Sequence, residues 1–135
     1  MDKALNYMAL ARKAGRIELG EEPVGAAARS QHARLVIVAQ DAGDHTWRRA
    51  KSFVSGTEQL CIKVPYTKDQ LGQAIGRTSL ALAAFTDPAL ALAFAKALEQ
   101  VDAEVIEKLQ VRTARIAQRQ KEAKAHKHNQ RRARK

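Results

Sequence analysis

Gly20, Glu21 and Glu22 stand where the short strand-like segment Ile17–Leu19 gives way to a helix start. A helix N-terminus presents unpaired N–H groups and the positive end of a dipole, which is anion-binding chemistry. Two carboxylates in the first turn repel an anion and complement the dipole instead. The turn therefore reads either as a well-capped helix start or as a nucleic-acid contact that does not work through phosphate.

Other spacings give less. Gly20 and Gly25 have the outer spacing of a phosphate-binding loop, but Ala26 and Ala27 follow where Gly-Lys-Ser/Thr is needed, so no lysine reaches a phosphate. Gly72 and Gly76 lie late in a short helix and do not make a dinucleotide fingerprint, and there is no GxSxG elbow. His126 and His128 lack a neighbouring carboxylate or thiolate, which makes a poor metal site. Cys61 reads as a small buried hydrophobe, and His32 and His45 as surface polar residues. Trp47 reads as a helix-to-sheet anchor, with base stacking as the alternative. No catalytic residue, metal site or cofactor is expected.

The elements that position these residues follow from hydrophobic periodicity. Asp2 caps a helix with Leu5, Met8, Ala9 and Arg12 near one face, ended by Gly15, with Arg12 and Lys13 at its negative end. Ile17–Leu19 is a short strand, and Gly20 opens a helix to about Ser30 with Pro23 in its first turn. Residues 35–39, LVIVA, have the continuous apolar pattern of a central strand covered on both faces. Asp44 caps a helix to about Val54, ended by Gly56. Residues 60–64 make a marginal strand closed by Pro65, and Thr67 with Gln70 signals a capping box for a helix ending at Gly76.

Residues 79–85, SLALAAF, are expected as a second buried strand, and Asp87 with Pro88 as the start of the last helix. Leu90, Phe94, Leu98, Val101, Val105 and Leu109 recur every three or four residues, which predicts one amphipathic helix running well past residue 100. Beyond Ile116 a frayed helix or disordered basic arm is expected. Strands alternating with helices imply an α/β protein: a three-layer α/β/α sandwich with a mixed central sheet and a basic helical or disordered C-terminal tail.

Charge is distributed unevenly along the 135 residues. Residues 1–107 carry 13 Lys+Arg and 13 Asp+Glu, whereas residues 108–135 carry 11 Lys+Arg and one acid, so the whole net charge of +10 lies in the tail. The expected division is thus a neutral domain, 1–107, and a basic extension, 108–135. Aromatic residues make up 4% of the chain, which excludes base stacking as the main mode of recognition. No apolar run approaches a membrane span and the N-terminus lacks a signal pattern, so a cytoplasmic protein is expected. The single cysteine agrees, since it cannot form an internal disulfide.

The blocks ALARKAGRIELGEEPV, LVIVAQDAGDHT, LGQAIGRTSLALAAFTD and AFAKAL occur in that order over roughly residues 4–98. Together they resemble the ribosomal protein family that binds RNA kink-turns, of the L-seven-A-e and L-thirty-e type, in its small bacterial branch. The resemblance implies an α/β/α sandwich that recognises folded RNA through loops at one end, without catalysis. In that family a glycine and the following helix N-terminus enter the widened major groove of the kink. There an asparagine and a glutamate read sheared guanine pairs, and a lysine one turn on contacts the backbone. A second contact comes from the loop leading into the last strand. Carried onto this sequence, the glycine is Gly20 and the loop is Gly76, Arg77, Thr78, Ser79 and Leu80. The asparagine position is Glu22, the glutamate position Pro23 and the lysine position Ala26. Ionised Glu22 accepts hydrogen bonds from guanine N1–H and N2–H but cannot donate to O6. Pro23 and Ala26 offer nothing polar.

The expected function is non-catalytic binding of ribosomal or other structured RNA. The body would read RNA shape through Arg16, Gly20, Glu21, Glu22 and the Gly76 to Leu80 loop. The tail would supply phosphate affinity through Arg112, Arg115, Arg119, Lys121, Lys124, Lys127, Arg131 and Arg132, the first three spaced to share one helix face. Expected partners are structured RNA and ribosomal or translation-factor proteins, with no membrane and no small-molecule substrate. The alternative is a protein-interaction module of the translation apparatus, tethered to RNA only by its tail. A third class, a fragment of an RNA methyltransferase, lacks anything to bind a methyl donor.

Overall fold

The computed structural model describes residues 2–133, with side chains through residue 129. The elements are α1 (Lys3–Ala14), β1 (Ile17–Leu19), α2 (Glu21–Arg29), β2 (Leu35–Val38), α3 (Asp44–Val54), β3 (Leu60–Lys63), α4 (Lys68–Ala74), β4 (Leu82–Phe85), α5 (Pro88–Ala97) and α6 (Ala103–Ala133). The four strands form a mixed sheet in the order β1-β4-β2-β3, in which β4 runs antiparallel to both neighbours and β2 and β3 are parallel.

Strand alternation sends side chains to two cores. Leu35, Ile37, Ala83 and Phe85 face one layer, α1, α4, α5 and the first turns of α6, where Met8, Leu71, Phe94 and Leu109 are buried. Val36, Val38, Leu82 and Ala84 face the other layer, α2 and α3, with Val24, Ala28 and Ala50. Burial on both sides explains why β2 and β4 read as unbroken apolar runs. The first core is anchored by Phe85 and Phe94, whose ring centroids lie 4.9 Å apart. Such a pair contributes about 0.5–1.5 kcal/mol beyond its area burial. Among the described residues no helix is long and apolar enough to cross a membrane.

Local capping chemistry sets most boundaries. Asp2 Oδ1 accepts the Ala4 N–H at 2.8 Å, and its other oxygen accepts the Tyr66 hydroxyl at 2.7 Å, which ties the start of α1 to the segment after β3. Gly15, at φ 67°, closes α1 with Arg16 N–H donating to Ala11 O and Gly15 N–H to Arg12 O, a Schellman ending. The Thr67–Gln70 capping box is complete, and Asp87 caps α5 ahead of Pro88.

Four expectations are corrected. The buried face of α1 is Ala4, Leu5, Met8 and Ala11, whereas Arg12 is exposed and Ala9 only half-buried. The helix is covered by α4 and α5 from a direction that the choice of Leu5, Met8, Ala9 and Arg12 misses. Asp44 is the first residue of α3 and Gly43 its cap, with no side-chain capping bond. The last strand begins at Leu82, because the Leu80 N–H donates to Lys68 O and holds that residue against α4. The long apolar stripe belongs to two helices. Leu98 leaves helical geometry at ψ 136°, and Asp102 Oδ1 accepts the Glu104 N–H at 2.9 Å to start α6.

This break folds α6 back along α5. Leu98 ends α5, while Thr113 of α6 reaches Pro88 O at the start of α5, so the two helices run antiparallel. Leu109 is thereby 2% exposed, and the change in charge between residues 107 and 108 falls inside a helix that is packed on the body. Beyond Thr113, α6 continues to Ala133, about 30 Å at 1.5 Å per residue.

Candidate nucleic-acid interface

Gly20 has φ 93° and ψ 169°, a backbone conformation that side-chain-bearing residues rarely adopt, and it caps α2. Its N–H donates to Leu82 O at 3.1 Å. That bond sets the first turn of α2 beside the residues that lead into β4. Gly76, Arg77, Thr78 and Ser79 are exposed there, as are Glu21, Glu22 and Pro23. The structure thus brings Gly20, Glu21, Glu22 and residues 76–79 to one end of the sheet.

Not every candidate joins them. Leu80 is 4% exposed and packs in the core, so its side chain is closed to any ligand. Arg16 lies at the other end of β1, where its carbonyl accepts the Thr86 N–H after β4. Four residues at about 3.3 Å each put it roughly 13 Å from Gly20 along the strand.

The two glutamates are not equivalent. Glu21 Oε1 accepts Arg49 Nε at 2.7 Å across the α2–α3 groove, a half-exposed pair of the kind that contributes at most about 1 kcal/mol. Among the described residues Glu22 has no hydrogen-bond or ion-pair partner. The groove beside them, about 760 Å³, is lined by Glu21, Glu22, Gly25, Arg29, Arg49 and Phe53. Arg49 lies 5.2 Å from the Phe53 ring centroid.

Gly72 is the positioning residue that spacing alone did not reveal. A Cβ there would lie 2.7 Å from Ser79 N and 2.8 Å from both Arg77 O and Ser79 Cα. The Arg77 N–H also donates to Gly72 O at 2.8 Å. The exposed loop is therefore folded tightly onto α4, and only a residue without a side chain allows it. A glycine inside a short helix that is otherwise well capped was the available signal.

The tail leaves from the opposite end. Arg112 Nη1 donates to Glu58 O, and Arg115 Nη1 lies 3.4 Å from Glu58 Oε2, two residues before β3. Burial, and then the neighbouring Arg34 and Arg115 charges, push the Arg112 guanidinium pKa down, partly offset by Glu58. Arg119, Lys121, Lys124 and Lys127 are exposed along α6. Arg131 and Arg132 fall within α6, but their side chains lie outside the described residues.

The remaining reactive types are occupied structurally. Trp47 is half-buried against the α2–α3 core, with the Lys51 and Lys63 ammonium groups 5.2 and 5.1 Å from its ring. Burial pushes the Cys61 thiol up to about 12, with Lys51 pulling weakly the other way, so its reactive thiolate is scarce at neutral pH. Among the described residues no group of three His, Cys, Asp or Glu could hold a metal ion.

No protein-family model matches the chain. A curated relative does: the chain is 35% identical over 75 residues to the RNA-binding protein YlxQ of Enterococcus faecium, covering 56% of this chain and 72% of that protein. The chain belongs to the YlxQ family. A solved Bacillus halodurans protein of unknown function is 26% identical, covers 74% of this chain over its own full length and superposes with a TM-score of 0.68. The 15.5kD RNA binding protein of Giardia lamblia, 19% identical, covers 81% of this chain and 86% of its own, with a TM-score of 0.55. That last likeness shows the shared α/β fold alone.

Proposed function

We propose that this YlxQ-family chain is a cytoplasmic, non-catalytic RNA-binding protein that recognises a folded ribosomal or other structured RNA. The observation that carries the reading is the Gly20 N–H to Leu82 O bond, which joins the acidic first turn of α2 and the 76–79 loop into one exposed edge. The YlxQ relative, named as RNA-binding, supports it. On this reading Glu22 accepts N–H groups of exposed base edges, Arg77 meets phosphate, and the basic residues of α6 add affinity that is indifferent to sequence. Pro23 and Ala26 stand where kink-turn readers carry polar contacts, so the RNA selected is a bent stem read through fewer base contacts.

The test is competition between a stem interrupted by an asymmetric internal loop and an uninterrupted duplex of equal length. A preference of at least ten-fold for the interrupted stem at physiological salt is expected, and equal affinity refutes the reading. One observation favours a second reading, a protein-docking module tethered by its tail: the body is neutral and the basic helix leaves from the end away from Gly20. Truncation after Ile116, which keeps Leu109 in the core, separates the two. Loss of all RNA binding would favour the docking module.

A further inference from the structure

The end of the sheet away from Gly20 is itself a built, strongly basic surface. Arg16 and Arg34 flank the end of β4: Thr86 N–H donates to Arg16 O on one side, and Arg34 N–H donates to Phe85 O on the other. Two strand spacings of about 4.8 Å put their backbones roughly 10 Å apart. Arg112 and Arg115 complete the set from α6, both reaching Glu58.

The platform is rigid. Gln59, 4% exposed, accepts the Ala33 N–H at 3.0 Å and donates to Ala28 O at 3.0 Å, which pins the residues adjoining Arg34 and Glu58. Arg34, Arg115 and Glu58 all act on the Arg112 charge, and Asp87, whose carboxylate accepts the Leu90 N–H as the cap of α5, adds a second negative charge beyond β4. Glu104 and Glu107 line the same groove as Glu58, Arg112 and Arg115 but lie more than one turn back along α6, and Glu104 is paired with Lys108 at 3.0 Å. Glu18, in the middle of β1, is half-exposed. The guanidiniums are also under-used. Arg34 makes one long bond, to Gln31 O at 3.4 Å, and its Nε–H is shielded from water without an acceptor among the described residues.

Planar donors carried on backbone about two strand spacings apart at Arg16 and Arg34, and one turn apart at Arg112 and Arg115, suit the regularly spaced oxygens of a nucleic-acid backbone. Resting on the RNA-binding reading above, we propose that Arg16, Arg34, Arg112 and Arg115 form a second RNA-backbone site. The protein then holds two RNA segments at once, one at each end of its sheet. The two sites do not compete: the sheet separates them, and α6 carries positive charge further from Gly20.

The test loads full-length protein on an immobilised stem with an asymmetric internal loop, then offers a fluorescent uninterrupted RNA duplex. Capture of the duplex by the loaded stem is expected. The variant R16Q/R34Q/R112Q/R115Q, brought to the same stem occupancy by raising its concentration, should capture at least ten-fold less. Because Arg34 and Arg112 are partly buried, the exposed pair R16E/R115E serves as a second variant and should lose at least three-fold with an unchanged circular dichroism spectrum. Protein that loads but captures no duplex, or variants that capture as well as the parent, overturn the two-segment proposal and leave the RNA reading standing. Protein that never loads on the stem refutes the RNA reading, and the proposal falls with it.

Discussion

Replacing Gly72 by alanine sets two effects of opposite sign against each other. Inside a helix the change ordinarily stabilises by about 1 kcal/mol, because glycine has more backbone freedom to lose. Here the new Cβ would stand 2.7–2.8 Å from Ser79 N, Ser79 Cα and Arg77 O. These are backbone atoms that no rotamer change removes, and overpacking costs about 1–3 kcal/mol, more when the backbone must shift. The loop is held to α4 by Arg77 N–H to Gly72 O at 2.8 Å and Leu80 N–H to Lys68 O at 3.0 Å. Clearing the clash strains both bonds, each contributing about 0.5–1.5 kcal/mol. The expected net loss is about 1–3 kcal/mol in urea unfolding, together with a weakened preference for interrupted stems. Gly25→Ala is the control. Its Cβ would meet the Phe53 ring at 3.1 Å and the end of Arg29 at 3.3 Å, side chains that can move, so its stability should stay within about 1 kcal/mol of the parent. A Gly72→Ala protein as stable as the parent, with unchanged RNA preference, would refute the account of the loop.

Three further outcomes follow from the same geometry. Glu22→Ala should change the ranking of RNAs in a competition panel while leaving affinity for a plain polyanion such as heparin within two-fold; an unchanged ranking removes Glu22 from the interface. Truncation after Ile116 should flatten the salt dependence of RNA binding. A tail engaging about six phosphates gives a log-log slope of roughly −4 to −5, and most of that should vanish in titrations from 50 to 200 mM salt. The raised Cys61 thiol makes folding stability fall at alkaline pH. Below the ordinary value of 9.0 both states hold the proton; above it the unfolded chain ionises while the folded one does not until about 12. Unfolding midpoints should drop between pH 9 and 11 less in Cys61→Ala than in the parent, and equal drops would show the thiol is not the cause.

Capping residues were the most legible part of the sequence, because a cap is decided within four residues. Asp2, the Thr67–Gln70 pair and Asp87 were readable where they stand. The break between α5 and α6 was hidden, since Leu98, Val101 and Val105 continue the period of the preceding helix across it. The signal was Asp102 two residues before Glu104, outweighed by six well-spaced apolar residues. Placing Gly20 next to the 76–79 loop came from the resemblance, and the Leu82 bond gives it a physical basis. The Glu21–Arg49 pairing spans 28 residues and the Arg115–Glu58 contact spans 57, so nothing local encodes either. Such long-range contacts decided what the sequence left open: which glutamate is engaged, and from which end the basic helix departs.

The acidic first turn of α2 can now be divided between structure and recognition. Both carboxylates complement the helix dipole, a contribution of about 0.3–1 kcal/mol each at an exposed site. Glu21 is further engaged by Arg49, which nearly cancels its charge locally and joins α2 to α3. Losing Glu21 should therefore loosen the groove and expose an unpaired arginine. Glu22 has no such second role, so its removal costs the fold no more than its share of the dipole term. Any shift in RNA selection larger than that share, about five-fold at 1 kcal/mol, cannot come from a weakened helix start and must come from a lost contact to the RNA.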